Sequence, residues 1–201
     1  MGLIDTIHGG YVFKRRVRVL STHLAELLPQ NASVLDVGCG DGLIAKLIME
    51  RRPDVRIEGM DVLVRPRTHV PVKAFDGTKI PHGDASFDAV MFVDVLHHTD
   101  DPMVLLREAR RVARQALVLK DHCRDGLLAG PTLRFMDWVG NARHGVVLPY
   151  NYWPKSRWDA GFAELGLAPE DYRSRIGLYP FPASLFFERS LHFIARLGKG
   201  A

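Results

Sequence analysis

The sequence predicts an α/β protein with a doubly wound, mostly parallel sheet. Short, largely apolar runs alternate with helical segments five times. Strands that are largely apolar are buried on both faces, which is the pattern of a parallel sheet with helices on either side. Glycines crowd the end of the first run. Open α/β sheets bind their ligands beyond such strand ends.

Taken in order, a helix is expected over about 5–28. Val17, Leu20, Leu24, Leu27 and Leu28 share one helical face, and Pro29 stops the run. Lys14, Arg15, Arg16 and Arg18 near its start read as a solvated basic face. Ser33 to Val37 is a buried strand. Leu43, Ile44, Leu47 and Ile48 then repeat at helical spacing. A second strand fits Val55 to Met60. Val62 to Pro71 holds two prolines and predicts a crossover with little helix. Strands follow at Val72 to Phe75 and Phe87 to Val93. Asp101-Pro102 opens a helix with proline at its first position, and Leu105, Ala109 and Val112 form its inner face. Ala116 to Leu119 is the fifth strand. A helix from Pro154 to Leu165 closes at Gly166. Strands near Tyr172 to Ile176 and Leu191 to Leu197 would complete the sheet.

At 201 residues, 47% hydrophobic and 25% charged, the chain suits one globular domain spanning 1–201. A net charge of +4 permits an anionic partner without demanding one. The two cysteines, Cys39 and Cys123, make no disulfide framework and suit a reducing compartment. No apolar run reaches the roughly 20 residues of a transmembrane segment. The start lacks the basic-then-apolar order of a signal peptide, so a cytoplasmic location is expected.

The chemistry begins at Asp36-Val37-Gly38-Cys39-Gly40-Asp41-Gly42. Glycines let a backbone turn sharply and let a ligand approach the peptide. The dinucleotide fingerprint wants a third glycine where Leu43 stands, and no Gly-Lys-Ser/Thr of a P-loop exists. Carboxylates at Asp36 and Asp41 would repel a pyrophosphate and attract a cation. S-adenosyl-L-methionine carries an ammonium and a sulfonium and no phosphate.

Here the sequence resembles the class I S-adenosylmethionine-dependent methyltransferases, of the small-molecule type 11 kind. Val34 to Gly42 matches their first motif at every position. The resemblance implies a Rossmann-like methyltransferase fold with seven strands, the last antiparallel. It also implies cofactor contacts at Asp36, Gly38, Cys39 and Gly40. Asp61, followed by Val62, takes the place of the acid on the ribose hydroxyls, where a carboxylate can accept from both. Asp76 would meet the adenine amino group and Gly77 would offer its amide. Asp94 would contact the methionine end or cap the next turn. Only 15 positions separate Asp61 from Asp76, which leaves little room for the helix usual in the family.

Asp94-Val95-Leu96-His97-His98 looks like the Leu-His-His stretch of methyltransferases related to the quinone-biosynthesis enzymes. His97 and His98, with His122 at the end of the fifth strand, are candidate general bases, a task suited to an unperturbed pKa near 6.5. His97, His98, Asp94 and His122 could be imagined around a metal. The family's metal-dependent members use carboxylates and amides instead, so no metal is expected. After Asp121 glycines, prolines and aromatics rise, and about 122–190 reads as a substrate-side insertion. Asn141, His144 and Tyr152 are its candidate substrate contacts, in a loop that could wall a pocket. Tyr179 to Phe187 is apolar enough to be core or the face of a homodimer.

The expected activity is methyl transfer to a small-molecule acceptor. A nucleic-acid or protein methyltransferase is the rival suggested by the basic pI of 9.2. No Asn-Pro-Pro-Tyr-like element follows the fourth strand, so a nucleic-acid partner is not expected. A non-catalytic cofactor-binding module is the rival outside enzymes.

Overall fold

Seven strands form one sheet: β1 (Ser33–Val37), β2 (Arg56–Asp61), β3 (Val72–Ala74), β4 (Phe87–Val93), β5 (Ala113–His122), β6 (Leu167–Arg173) and β7 (His192–Lys199). The structure is a computed structural model that describes residues 12–141 and 149–200. The strand order is β3-β2-β1-β4-β5-β7-β6. β1 pairs in parallel with β2 and β4, and the parallel pairing continues outward to β3 and β5. β7 runs antiparallel between β5 and β6. This is the doubly wound fold with an antiparallel last strand that the sequence predicts.

The helices are α1 (Phe13–Leu27), α2 (Leu43–Arg51), α3 (Pro102–Val112), α4 (Ala129–Asn141), α5 (Lys155–Glu164) and the single turn α6 (Ser184–Phe187). Side chains of a strand alternate between faces, and the two cores follow that period. Val34 of β1, Val118 of β5 and Ile194 of β7 pack with Leu20 and Leu24 of α1 and Ile48 of α2. Leu35, Val37, Leu117, Leu119 and Phe193 pack on the other face with Leu106 of α3 and Phe162 of α5. The apolar runs are therefore apolar because helices cover both sides. α3 starts where the sequence predicts: the Asp101 side chain accepts from Met103 N, with Pro102 at the first position.

Three expectations need correction. β6 begins at Leu167, directly after the left-handed Gly166, and ends at Arg173, upstream of the expected Tyr172 to Ile176. Its position is set by pairing with β7, from Leu167 opposite Lys199 to Arg173 opposite Ile194. The glycine- and proline-rich stretch after Gly126 contains α4, which composition concealed. Pro131 lies in the first turn of that helix, where its missing N–H leaves nothing unsatisfied. The stretch 122–190 is also not wholly an insertion, because α5 and β6 belong to the layers around the sheet. The crossover from 62 to 71 holds no helix, as its two prolines predict.

The strand order reverses between β1 and β4. The carboxyl ends of β1, β2 and β3 lie on one side of that switch, and those of β4 and β5 on the other. A ligand that spans the crevice meets both groups.

Candidate active site

The β1 end is built for a polar ligand. Asp36 is buried, and its Oδ1 has no hydrogen-bond partner among the described residues. Burial, with Asp61 close by, pushes its carboxyl up to about 7. A buried acceptor without a donor is costly unless a ligand supplies one. Gly38 has φ +75°, and a Cβ there would lie 2.5 Å from Val95 Cγ2, so the loop passes tightly under the β4 end. Gly40 has φ +61° and open space where a Cβ would stand. The Gly38 and Cys39 amides donate to Met60 O at 2.7 and 3.2 Å, which ties the loop to β2. Cys39 packs on Gly59, where a Cβ would come within 2.4 Å of its Sγ. Burial, with Asp36 and Asp61 nearby, raises the Cys39 thiol far above its usual range, so it is no nucleophile.

Asp61 ends β2 with both oxygens directed by the backbone: Oδ2 accepts from Gly40 N at 2.8 Å and Oδ1 from Leu63 N at 2.9 Å. Val62 is 64% exposed, and its Cγ1 stands 3.1 Å from a Cβ built on Gly77. The ends of β2 and β3 thus adjoin without a helix between them. Asp76 closes a turn there, its Oδ1 accepting from Thr78 N, Thr78 Oγ1 and Lys79 N at 2.8 to 2.9 Å. Those bonds hold its carboxyl below the usual range. Asp41 is half exposed and its Oδ1 accepts from Leu43 N at 3.0 Å. That bond closes the turn into α2, whose N-cap position is Gly42.

Beyond the switch, residues 96–98 form a single 3₁₀ turn after β4. His97 is 1% exposed and sits between two carboxylates. Its Nδ1 is 2.7 Å from Asp121 Oδ1 and its Nε2 is 3.5 Å from Asp137 Oδ1 of α4. Burial alone would lower its pKa, but Asp121 and then Asp137 outweigh it and raise it to about 9. His97 is therefore a protonated tie between β5 and α4. Asp121 also accepts from the Leu96 and His122 amides at 3.0 and 2.7 Å.

His98 differs. Its side chain is 18% exposed, and its Nε2 lies 4.0 Å from Asp137 Oδ1. Burial and the charge on His97 lower its pKa, so it is neutral at pH 7. His122 has its pKa lowered further: it is more deeply buried, and the charge on Lys120 adds to that on His97. Its Nε2 is 3.4 Å from Asp94 Oδ1.

The even residues of β5 point towards α1, as Val118 does. That places Lys120 in the core with no exposed surface. Its ammonium bonds Asp94 Oδ1, while Arg16 Nη2 of α1 reaches Asp94 Oδ2 at 2.9 Å. Lys120 Nζ also approaches His192 Nδ1 at 3.4 Å. Both Asp94 oxygens are engaged in this ion cluster. Arg16 leaves the solvated face expected for the basic run. Arg16, Lys120, Asp137 and His192 are the charged and polar groups that sequence reasoning missed. Lys120 had a signal, an ionisable residue continuing an apolar strand.

Tyr152 is buried over the same edge. Its hydroxyl donates to Asp137 Oδ2, and its ring stacks 5.5 Å from that of His97. Asn151 N donates to His97 O at 3.2 Å, and Arg124 N to Trp153 O at 3.0 Å. The segment 150–153 therefore covers the β4 and β5 ends. The side chain of Asn141, and His144 entirely, lie outside the described residues. His97, His98 and Asp137 bring ligand atoms within 4.8 Å of one another, a spacing that would admit a cation. The proton on His97 competes for that position.

The chain matches the methyltransferase domain family over residues 11–171. It belongs to that family. The cofactor of this class I methyltransferase fold is S-adenosyl-L-methionine. The chain is 29% identical to 27-O-demethylrifamycin SV methyltransferase of Amycolatopsis mediterranei, over 55% of this chain and 48% of that one. It is 28% identical to a ubiquinone biosynthesis O-methyltransferase of Aliivibrio fischeri, over 40% and 39%. This methyltransferase-family chain spans half or less of the length of these curated relatives. A solved S-adenosylmethionine-dependent methyltransferase from Aquifex aeolicus shares the fold, with a TM-score of 0.62 and 17% identity over 92% of each chain.

Proposed function

We propose that the protein transfers a methyl group from S-adenosyl-L-methionine to a hydroxyl of a small-molecule acceptor. One observation carries this reading. A neutral, partly open histidine, His98, stands across the strand-order switch from the buried carboxylate of Asp36, whose Oδ1 has no hydrogen-bond partner among the described residues. The first suits a hydroxyl that must lose a proton, and the second suits a cationic ligand. The relatives whose names specify oxygen support the choice of acceptor atom.

The donor, when bound, supplies an electrophilic methyl group on a sulfonium. Asp36 would accept from its ammonium, and the open backbone at Gly40 would let it approach. Asp61 would accept from the ribose hydroxyls, and Val62 and Gly77 would flank the adenine. On the acceptor side, His98 would take the hydroxyl proton as the oxygen attacks. His97 is already protonated and His122 is buried, so each serves by position: His97 anchors α4 and Tyr152, and His122 packs beside Asp94. Alignment and exclusion of water supply much of the rate in such a displacement.

The test is turnover to S-adenosylhomocysteine with hydroxylated aromatic acceptors. His98→Ala is expected to slow turnover by about 10²–10⁴-fold, the usual contribution of a general base, with cofactor affinity unchanged. An undiminished rate would remove His98 from the chemistry.

A further inference from the structure

We propose that the outer face of α4 and α6 docks on an anionic lipid surface. This goes beyond the methyl-transfer reading and does not depend on it. Large exposed apolar side chains gather here: Leu127 and Leu128 before α4, Phe135 and Trp138 on it, and Phe181 and Phe186 around α6. The two elements are neighbours, since the Phe135 and Phe187 rings stack at 6.3 Å and Arg189 Nη2 reaches Thr132 Oγ1 at 3.4 Å. α4 has a different inner face, where Leu133 is buried and Asp137 bonds Tyr152. A helix with one face closing a site and aromatic side chains on the other is built for two apolar environments. Contiguous exposed apolar patches mark interaction surfaces.

The charge pattern selects the occupant. A cavity of about 310 Å³ opens at the start of α4, lined by Arg124, Gly130, Pro131, Arg134, Tyr150 and Tyr152. Its lining holds two guanidinium groups and no carboxylate. Arg134 lies over the Tyr150 ring at 5.6 Å, which keeps it beside the apolar face. Arg189 adds a third positive charge at the α4–α6 junction. A two-fold dimer through this face would bring together two patches with the same arginines, an electrostatically unfavourable pairing. A phospholipid surface meets both requirements: its headgroup phosphates suit the arginines, and its acyl boundary suits Phe, Trp and Leu. No described helix is long and apolar enough to cross a membrane, so the contact is interfacial.

The protein carries its own reporter. Trp138 is 59% exposed, whereas Trp153 and Trp158 are 2% and 1% exposed, so a change in tryptophan emission on docking comes from Trp138. The experiment mixes the full chain with vesicles of phosphatidylcholine and phosphatidylglycerol at about three to one, and with pure phosphatidylcholine. Expected are a blue shift and co-sedimentation with the anionic vesicles, both weakened by salt and both absent with pure phosphatidylcholine. Phe186→Ser should weaken binding, and Arg124→Gln with Arg134→Gln should weaken it about 30-fold. All three positions are exposed, and unchanged circular dichroism will show that the fold persists. No blue shift with anionic vesicles overturns the proposal. So does binding abolished by millimolar inorganic phosphate, which would make the cavity a small-anion site. A protein that dimerises through this face, with Phe186→Ser monomeric, would overturn it in favour of a second copy.

Discussion

The tie at His97 makes the stability of the protein depend on pH in a direction that can be worked out. His97 is 1% exposed and flanked by Asp121 and Asp137, and its pKa rises from the ordinary 6.5 to about 9. A folded pKa above the unfolded one means that the folded state binds the proton more tightly. The stabilisation is therefore complete below pH 6.5 and is lost as pH rises through 9. A shift of this size corresponds to about 3 kcal/mol, at about 1.4 kcal/mol for each pKa unit. Urea unfolding at about pH 6, 8 and 9.5 measures it. The wild type should lose about that amount across the range, whereas His97→Gln and Asp121→Asn should lose much less. Asp121→Asn removes the main charge that holds the proton, and His97→Gln removes the proton itself. A decline in His97→Gln as steep as in the wild type would refute the tie and assign the slope to other groups.

Other outcomes follow from the same geometry. Asp36 titrates at about 7 in the free protein, and a cationic ligand will lower that value, so S-adenosylmethionine should bind more tightly as pH rises through 7. Calorimetry in buffers of different ionisation enthalpy should then show proton release near pH 7, absent in Asp36→Asn. Lys120→Met removes the buried ammonium that bonds Asp94 and should lower stability by about 3 kcal/mol, with part recovered on adding Asp94→Asn; thermal unfolding of the single and double variants decides this. The His97 proton holds the position a cation would need, so turnover should survive dialysis against EDTA. Loss of activity that zinc or magnesium restores would make His97, His98 and Asp137 a metal site.

The sheet was legible because covering helices on both faces leave strands that are largely apolar, as in Ala89 to Val93. The glycine loop was legible because its turns and close packing need glycine, at Gly38 under Val95 above all. Ion pairs across the fold leave no such trace. Arg16 and Asp94 are 78 positions apart and meet only when α1 lies over β4. α4 hid because Gly130 and Pro131 depress helix propensity locally, while the helix is held by Leu133 and Asp137 against Tyr152. The histidines were visible as residue types, but their roles were not. His97 and His98 are chain neighbours with opposite shifts, because one is wedged between two carboxylates and the other lies beside its charge.

The division of the site between the two sides of the strand-order switch is tested most directly by calorimetric titration of S-adenosylmethionine into the wild type, Asp61→Ala and His98→Ala. The wild type should bind with an affinity in the micromolar range. Asp61→Ala should lose about 2–3 kcal/mol, or roughly 30- to 150-fold, through the lost ribose bonds. His98→Ala should bind as the wild type does. Preference for a dinucleotide, or binding that depends on His98 and not on Asp61, would contradict the assignment.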